Sequence, residues 1–489
     1  MLNIFISNTG NSDRSKFYFG LIAVLIMTAG FFLSVIQVGN IHTDGGIFSA
    51  VALKDLNGGT LYNDAWENKP PAIFFLTELF LTVIPDHVMA LFIMPAVAFA
   101  ATAICLYILI YRYIGSFFTS TIFTVLTLYF TIHKNNIGDG LYTEIYGFLF
   151  ILISMVFSEQ YSSSKKNYNL YLSAFSLGIS PWFKEPFILL CLPLILIAFR
   201  QLQSIKIKSL YLFFCVIPGL MFLLILFFNG ALSAYADTLK YNLSYISSEE
   251  KTSVIVKLNE YRDFLIMPVF ALFLLFCLMS YKTITNEKTR NESLLYLVLL
   301  ALSVCFVLLS PHNFGHYYYP SFVLFFLLTA KIWQLFTQVN GPVLKLPLLI
   351  ICLYYIYSND QWKADKMKFQ ITPYKPDKIV SFLRGEKGKT LFVEYVVKSD
   401  YYIKSGLIYP TWLPVGLPVH FLETEQGRKN RKRIWDELNR QKPDYLITTN
   451  TPSYFSWFLP DPGFYEKNYI KTDSILAQGE LPVYLWKLK

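Results

Sequence analysis

The chain has 489 residues, of which 54% are hydrophobic and only 15% are charged. The hydrophobic residues come in long runs separated by short basic stretches, which excludes an ordinary soluble fold and indicates a membrane protein. The formal net charge of +9 does not indicate nucleic-acid binding, because the Lys and Arg residues cluster at the ends of apolar runs, as the positive-inside rule predicts.

Eleven apolar runs predict transmembrane helices. The first, 17–38, contains no charged residue and is long enough, at ~1.5 Å per residue, to cross a ~30 Å hydrocarbon layer. It is too long for the apolar part of a cleaved signal peptide, so we expect it to be retained. The other ten runs are 88–111, 116–133, 142–158, 168–183, 187–199, 209–228, 263–281, 293–310, 320–337 and 342–358.

The apolar segment 70–84 decides which side of the membrane every later loop faces. It contains Glu78, and a charged residue at the centre of a span costs roughly 2.5–3.5 kcal/mol on insertion scales. If the segment lies along the membrane surface, most Lys and Arg residues of the short loops fall on one side, which the positive-inside rule assigns to the cytoplasm. The sequence therefore predicts a cytoplasmic N-terminus and an extracytoplasmic C-terminus.

This sidedness places most of the polar chain outside. The outer segments are 39–87, 134–141, 184–186, 229–262, 311–319 and 359–489. The predicted domains are a membrane domain, 1–358, that carries the outer loop 39–87, and a small extracytoplasmic α/β domain, 359–489. Within the α/β domain the patterns predict helices over 375–386 and 427–441 and strands over 390–397, 445–449 and 483–488. All six cysteines lie in apolar runs, so neither a disulfide framework nor a zinc site is indicated.

The first outer loop contains the most unusual polar residues. It begins Thr43-Asp44-Gly45-Gly46, and it continues with Gly-Gly-Thr-Leu-Tyr62-Asn-Asp and then Glu67-Asn-Lys69-Pro-Pro. An acidic residue at the membrane boundary, followed by flexible glycines, can contact a water-soluble hydroxyl and an embedded head group together. The alternative for Asp44 alone is a solvated aspartate at the start of a loop.

This first loop resembles that of the GT-C glycosyltransferases related to aminoarabinose transferase and protein O-mannosyltransferase. The resemblance covers about 17–358 and is most specific over 40–71. Those enzymes usually open with Asp-Glu, whereas this chain has Asp44-Gly45, so Asp44 is the matching acid and a second carboxylate is missing at that point. The expected fold is therefore a polytopic α-helical membrane protein of about 11 transmembrane helices, GT-C-like by this resemblance, with the small C-terminal α/β domain outside the part that the resemblance covers.

Three further stretches are similar to segments of the same family. Asp139 and Glu144 lie where the resemblance implies a second acidic position, although either could simply favour a helix N-terminus. Lys184 matches a lysine-containing turn that faces the lipid phosphate, and the alternative is an interfacial Lys-Glu pair. His316 and Tyr317 resemble a His-Tyr turn before a late span, and the alternative is a polar turn.

The resemblance implies transfer of a sugar, with inversion, from a polyprenyl-phosphate donor to an acceptor hydroxyl. Lys69, Lys184 and His316 would bind the phosphate at head-group depth and stabilise the leaving group. Asp44 would take the proton of the acceptor hydroxyl. Glu144 or Asp139 would position hydroxyls, Glu67 would tune Lys69, and Tyr62 belongs to the same predicted substrate-binding set. The sequence thus predicts that Asp44 and the two lysines face one pocket.

Other functions stay open at this point. A lipid flippase or transporter would show repeated halves and polar residues buried at the bilayer midplane, and an O-antigen-polymerase-like enzyme would place arginines in large outer loops. No cofactor is indicated. A divalent metal is an alternative, disfavoured because the chain lacks Trp-Trp-Asp and a tight acidic cluster.

The expected partners are the lipid-linked donor, a glycan, lipid or protein acceptor, and membrane lipids, without nucleic acid. The expected location is the inner (plasma) membrane of a bacterium.

Overall fold

A computed structural model describes residues 11–41, 43–132, 137–248, 253, 255–256, 287–310, 314–339, 374–394, 396–415, 425–449, 463–475 and 482–489. The described residues are mostly helical, with one small sheet near the C-terminus. By chain contacts they form two compact units. The helical unit comprises the described residues of Met1–Ile36, Ala96–Gly219 and Glu250–Ile371, and the loop-and-tail unit comprises those of Gln37–Pro95, Leu220–Glu249 and Thr372–Lys489.

Twelve described helices precede residue 340. They are α1 (Asn11–Val35), α2 (Thr43–Leu56), α3 (Ala72–Val83), α4 (His87–Ile114), α5 (Phe117–Thr131), α6 (Thr143–Ser164), α7 (Asn167–Ile179), α8 (Ile188–Gln201), α9 (Ile205–Phe228), α10 (Leu232–Ser248), α11 (Glu287–Leu309) and α12 (Tyr319–Val339). The short 3₁₀ turns Ser180–Trp182 and Glu185–Phe187 lie between α7 and α8, and a third, Gly315–Tyr318, leads into α12.

Nine of the eleven predicted spans fall on described helices, and 263–281 and 342–358 lie outside the described residues. In the described part of the chain, four helices are long and apolar enough to cross a membrane: Arg14–Val35, His87–Ile114, Thr143–Ser164 and Ile205–Phe228. Their length and composition indicate a membrane protein. The full set of eleven spans stays a prediction, because helices such as α7 and α8 have only 13 and 14 residues.

The ambiguous segment 70–84 forms α3, a helix of 12 residues. At ~1.5 Å per residue such a helix is ~18 Å long, which is too short to cross the ~30 Å hydrocarbon layer. It packs against α2, with the rings of Phe48 and Phe74 edge to face at 5.9 Å. Its apolar face is therefore buried by a neighbouring helix.

Helices in the helical unit pack in a connected set. α1 packs on α5, α5 on α12, and α12 on both α11 and α6, while α6 packs on α7. Buried aromatic rings fill these contacts, as where Phe130 of α5 stacks on Phe326 of α12 at 5.4 Å. Some hydroxyls pair between the helices, for example Ser154 Oγ with Ser173 Oγ at 2.9 Å.

Described residues of the tail form α13 (Lys378–Leu383), β1 (Leu391–Val393), α14 (Asp400–Ser405), α15 (Glu425–Gln441), β2 (Tyr445–Thr449), α16 (Phe464–Asn468), β3 (Tyr469–Ile475) and β4 (Val483–Leu488). The strands make a four-stranded sheet in the order β1-β2-β4-β3. β1 pairs with β2 in parallel, and the other two pairings are antiparallel.

The predicted strands 445–449 and 483–488 are confirmed, and the predicted basic helix 427–441 lies within α15. The helix predicted over 375–386 is shorter, because Asp377 caps α13 by accepting a hydrogen bond from the Val380 N–H. The strand predicted over 390–397 is also shorter, since pairing with β2 ends at Val393. β3 was not predicted, because its sequence does not alternate strictly between apolar and polar residues.

Candidate functional site

Asp44 lies in the first turn of α2, where a negative charge interacts favourably with the helix dipole. It is half-buried, and no other described residue donates a hydrogen bond to it or pairs with it. The expectation of flexible glycines after it is wrong, because Gly45 and Gly46 are buried residues of α2. Gly46 is there for close packing, since a Cβ atom on it would lie 2.3 Å from Ser399 Oγ.

Glu67 and Lys69 belong to the same unit as Asp44, and the three form what we call the Asp44 cluster. Glu67 is 3% exposed, its Oε1 lies 3.7 Å from Lys69 Nζ, and its Oε2 is buried with no hydrogen-bond partner among the described residues. Burial raises the pKa of Glu67 above its ordinary 4.5, Lys69 opposes this increase, and the charge of Asp44 adds to it. Two carboxyl groups therefore interact here, one of them favouring its protonated form.

Tyr62 positions the backbone beside this cluster. Its hydroxyl donates to the Lys69 carbonyl oxygen at 2.8 Å, and its own carbonyl oxygen accepts from Trp412 Nε1 at 3.0 Å. Its φ of 67° lies in the left-handed region, which is costly for a non-glycine residue and is retained where the surroundings impose it. The Tyr62 hydroxyl therefore orients Lys69, while its substrate-binding role stays a prediction.

Glu144, Lys184 and His316 come together in the helical unit, and we call them the Lys184 cluster. Glu144 is 1% exposed in the first turn of α6, and its Oε1 pairs with Lys184 Nζ. His316 Nε2 lies 3.8 Å from the same oxygen. Glu144 Oε2 accepts a hydrogen bond from Thr143 Oγ1 at 3.2 Å. One buried carboxylate thus faces two basic side chains.

Aromatic rings surround the Lys184 cluster. Lys184 Nζ lies 3.9 Å from the ring centre of Tyr317 and 5.3 Å from that of Phe306, so cation–π attraction adds to the ion pair. The His316 ring stacks on Tyr142 with 4.0 Å between centres. Tyr142 and Phe306 were not predicted, although the position of Tyr142 two residues before Glu144 was a usable signal.

Asp139 lies in the same unit, in the segment just before α6. It is 4% exposed, and its Oδ1 accepts the backbone N–H of Leu141 at 3.0 Å. This contact closes a turn just before α6, a role that differs from the helix N-terminal acid raised as the alternative for this residue. Asp139 therefore shapes the segment that leads to Glu144, and its contact with substrate stays a prediction.

The structure thus brings the predicted residues together as two groups. Glu144, Lys184 and His316 form one, and Asp44, Glu67 and Lys69 form the other. The expectation that Asp44 and Lys184 face one pocket stays a prediction, because they belong to different compact units. Among the described residues, no group of three or more His, Cys, Asp or Glu side chains could hold a metal ion.

Comparison with known proteins does not assign the chain to a family. Neither a family model nor a curated protein matches the chain. What the structure establishes is a mostly helical chain whose described part contains four membrane-length apolar helices and a small C-terminal sheet. The function must therefore be argued from the two clusters.

Proposed function

We propose that the chain is a membrane glycosyltransferase that moves a sugar from a polyprenyl-phosphate donor to an acceptor hydroxyl on the extracytoplasmic face, with inversion. The observation that carries the proposal is the Lys184 cluster. Its lysine and histidine are held by a buried carboxylate at the end of a membrane-length helix. Ionisable residues that are buried in or beside a membrane span are costly and usually mark a functional site.

A lipid phosphate is the ligand that best suits these residues. The lipid tail keeps the phosphate at the membrane boundary, where a lysine or a protonated histidine donates strong hydrogen bonds to its oxygens. Such contacts stabilise the negative charge that grows on the phosphate as the glycosidic bond breaks. Glu144 would hold Lys184 in place before the donor arrives, and Tyr317 would limit the directions that the ammonium group can take.

Asp44 would act as the general base. Its carboxylate takes the proton of the acceptor hydroxyl, whose oxygen forms the new bond to the anomeric carbon, while the bond to the phosphate oxygen breaks and polyprenyl phosphate leaves. Support comes from its half-buried position without a partner among the described residues. Glu67 and Lys69 would adjust the charge beside it. The reaction requires Asp44 and Lys184 to act on one donor molecule.

A transfer assay tests the proposal. Membranes containing the full chain are incubated with radiolabelled polyprenyl-phosphate sugars, and label in acceptor material is counted. We expect Asp44→Asn to abolish transfer without lowering expression, because the amide cannot accept the proton. The matched control is Asp473→Asn, which changes an accessible carboxylate on β3.

Three outcomes would contradict parts of the proposal. Full transfer by Asp44→Asn would reject the assigned base. Movement of labelled lipid across the membrane without covalent transfer would favour the flippase. Failure of cysteines at positions 44 and 184 to cross-link in a cysteine-free background, with any short bifunctional reagent, would reject a shared donor site.

A further inference from the structure

The exposed face of α15 is strongly basic. Between residues 427 and 441, eight side chains are exposed, of which five are Lys or Arg and one, Asp436, is acidic. The five basic residues are Arg428, Lys429, Lys432, Arg433 and Arg440. Asn430, Ile434 and Leu438 are buried on the opposite face of the helix. The positive charge therefore points away from the core of the tail and attracts anions.

Two of the five cations have contacts within the protein. Arg433 Nε donates to Glu437 Oε1 at 3.0 Å, and Lys429 also has an internal contact. Arg428, Lys432 and Arg440 form no ion pair with a residue that the structure describes. Arg428 and Lys432 are one helical turn apart and Arg440 lies about two turns further on, so the three share one face. The inference rests on these three residues.

The exposed face of α15 carries no apolar side chain between residues 427 and 441. Trp435 does not interrupt it, because its ring packs on that of Phe464 with 5.1 Å between centres. A helix face of this kind can lie on charged head groups but has nothing to insert into hydrocarbon. From Arg428 to Arg440 the helix extends ~18 Å. A surface of many anions therefore suits the face better than one small ligand.

Hydrogen bonds connect α15 to the end of a membrane-length helix. The last two residues of α9, Phe227 and Phe228, are 61% and 79% exposed, as expected of apolar side chains that face lipid. Just beyond them, the Gly230 carbonyl oxygen accepts from Asn63 Nδ2 at 3.1 Å. The Asn63 carbonyl oxygen in turn accepts from Arg433 Nη2 at 3.0 Å. All these residues belong to the loop-and-tail unit, so α15 lies close to the point where α9 leaves the hydrocarbon.

We propose that the basic face of α15 binds anionic phospholipid head groups at the surface of the membrane that holds the chain. Arg428, Lys432 and Arg440 would contact the lipid phosphates. Each basic residue near an anionic membrane surface strengthens the attraction about fivefold, and the effect decreases with salt. The contact would hold the tail against the membrane. This inference depends on the charge and position of α15 and goes beyond the transferase function proposed above.

Fluorescence quenching in lipid nanodiscs tests the inference on the full chain. In a cysteine-free background, Asn439→Cys places a nitrobenzoxadiazole label at an exposed position of α15. The nanodiscs contain phosphatidylcholine, a constant fraction of which carries a spin label on its head group, with or without phosphatidylglycerol. We expect stronger quenching with phosphatidylglycerol, because the anionic lipid draws α15 onto the head groups. High salt should remove the difference.

The triple variant Arg428→Gln/Lys432→Gln/Arg440→Gln should weaken the contact by on the order of a hundredfold, so its quenching should equal that in phosphatidylcholine alone. The matched control is Lys375→Gln/Lys387→Gln/Lys487→Gln, which removes three charges from exposed positions of the tail outside α15. This control should be quenched like the natural chain. If the triple α15 variant fails to fold, Lys432→Gln alone replaces it, with an expected weakening of about fivefold.

Equal quenching with and without phosphatidylglycerol would overturn the inference, and so would full quenching of the α15 variant. An equal loss in the control variant would indicate attraction by net charge rather than by the face of α15. A larger change in label emission on adding soluble polyphosphate to neutral nanodiscs would assign the face to a soluble polyanion instead. Asp44→Asn should be quenched like the natural chain, so loss of transfer and loss of lipid contact are distinguishable.

Discussion

The Glu144 carboxylate is almost fully buried, and neighbouring groups stabilise its charge. Removing a carboxylate from water costs several kcal/mol, which is recovered only by close partners. Lys184, His316 and the Thr143 hydroxyl supply those partners from three separate segments. Such an arrangement is a costly way to stabilise a protein, which is why we interpret it as functional.

Glu144→Gln should destabilise the protein by about 3 kcal/mol, because loss of one partner leaves the other charge buried and unpaired. The double variant Glu144→Gln/Lys184→Met should be less destabilised than the sum of the single changes. Thermal unfolding in detergent measures both. The pair Arg112 and Glu159, 3.6 Å apart and about 30% exposed, is the control, with an expected coupling of about 1 kcal/mol or less. Strict additivity at Glu144 and Lys184 would contradict the ion pair.

Glu67 should make stability depend on pH. Burial raises its pKa in the folded state above the ordinary 4.5, so folding favours the protonated form. Its stabilising contribution is complete below pH 4.5 and is lost as the pH rises through the folded-state pKa. Glu67→Gln cannot ionise, so its melting temperature should fall less between pH 4.5 and pH 8 than that of the natural chain.

The exposed Glu466 provides the control for this measurement. Glu466→Gln should leave the pH dependence of the melting temperature unchanged. An unaltered slope in Glu67→Gln would contradict the buried, protonated carboxyl.

At the scale of elements, α2 organises the loop-and-tail unit. The helix packs both on α3 and on α14 of the tail. Asp55 of α2 and Glu78 of α3 form a partly buried carboxyl pair, in which desolvation and the neighbouring Asp55 raise the pKa of Glu78. Glu78, whose charge argued against a membrane span, thus favours its protonated form at the contact between α2 and α3.

Gly46→Ala should destabilise the protein by about 1–3 kcal/mol, the usual cost of overpacking. The added Cβ would lie 2.3 Å from Ser399 Oγ and 2.9 Å from the Asp400 backbone nitrogen. Glycine to alanine normally stabilises a helix by up to about 1 kcal/mol, so the sign of the change in a denaturation experiment is itself diagnostic. Ser399→Gly should recover part of the loss. A stabilising Gly46→Ala would show that α14 does not approach α2 so closely.

At the scale of the whole molecule, each compact unit combines three separate segments of the chain. The sequence predicts one division of the chain, after residue 358, with the first outer loop belonging to the membrane helices. In the structure that loop shares a compact unit with the tail. The physical reason is that tail residues pack on α2 and on the segment that follows it, since α14 contacts α2 and the Trp412 ring lies against that of Trp66.

The predicted sidedness is testable in intact cells. In a cysteine-free background, Lys387→Cys in the tail should react with a membrane-impermeant maleimide, whereas Ser163→Cys in the last turn of α6 should react only after permeabilisation. Both positions are exposed, so access to the reagent depends on the side of the membrane. The reverse labelling pattern would invert the orientation, and labelling of both would reject a membrane between them.

The amino-acid sequence by itself determined the apolar helices and several elements of the tail. The apolar character of α1 and α4 follows from their runs of consecutive apolar residues. The burial of Asn430, Ile434 and Leu438 follows from their spacing, since every fourth residue of α15 lies on the same helix face. The bounds of β2 and β4 were predicted for the same reason. Local patterns specify such elements because neighbouring residues share one helix face or one strand.

The tertiary structure alone decided which residues meet. Glu144, Lys184 and His316 are separated by 40 and 132 residues along the chain, and no local pattern could bring them within one cluster. The hydrogen bonds that link Gly230, Asn63 and Arg433 likewise join distant segments. Burial of apolar surface rewards any contact that excludes water, so the pairing of distant segments is set by the packing of the whole unit rather than by local sequence.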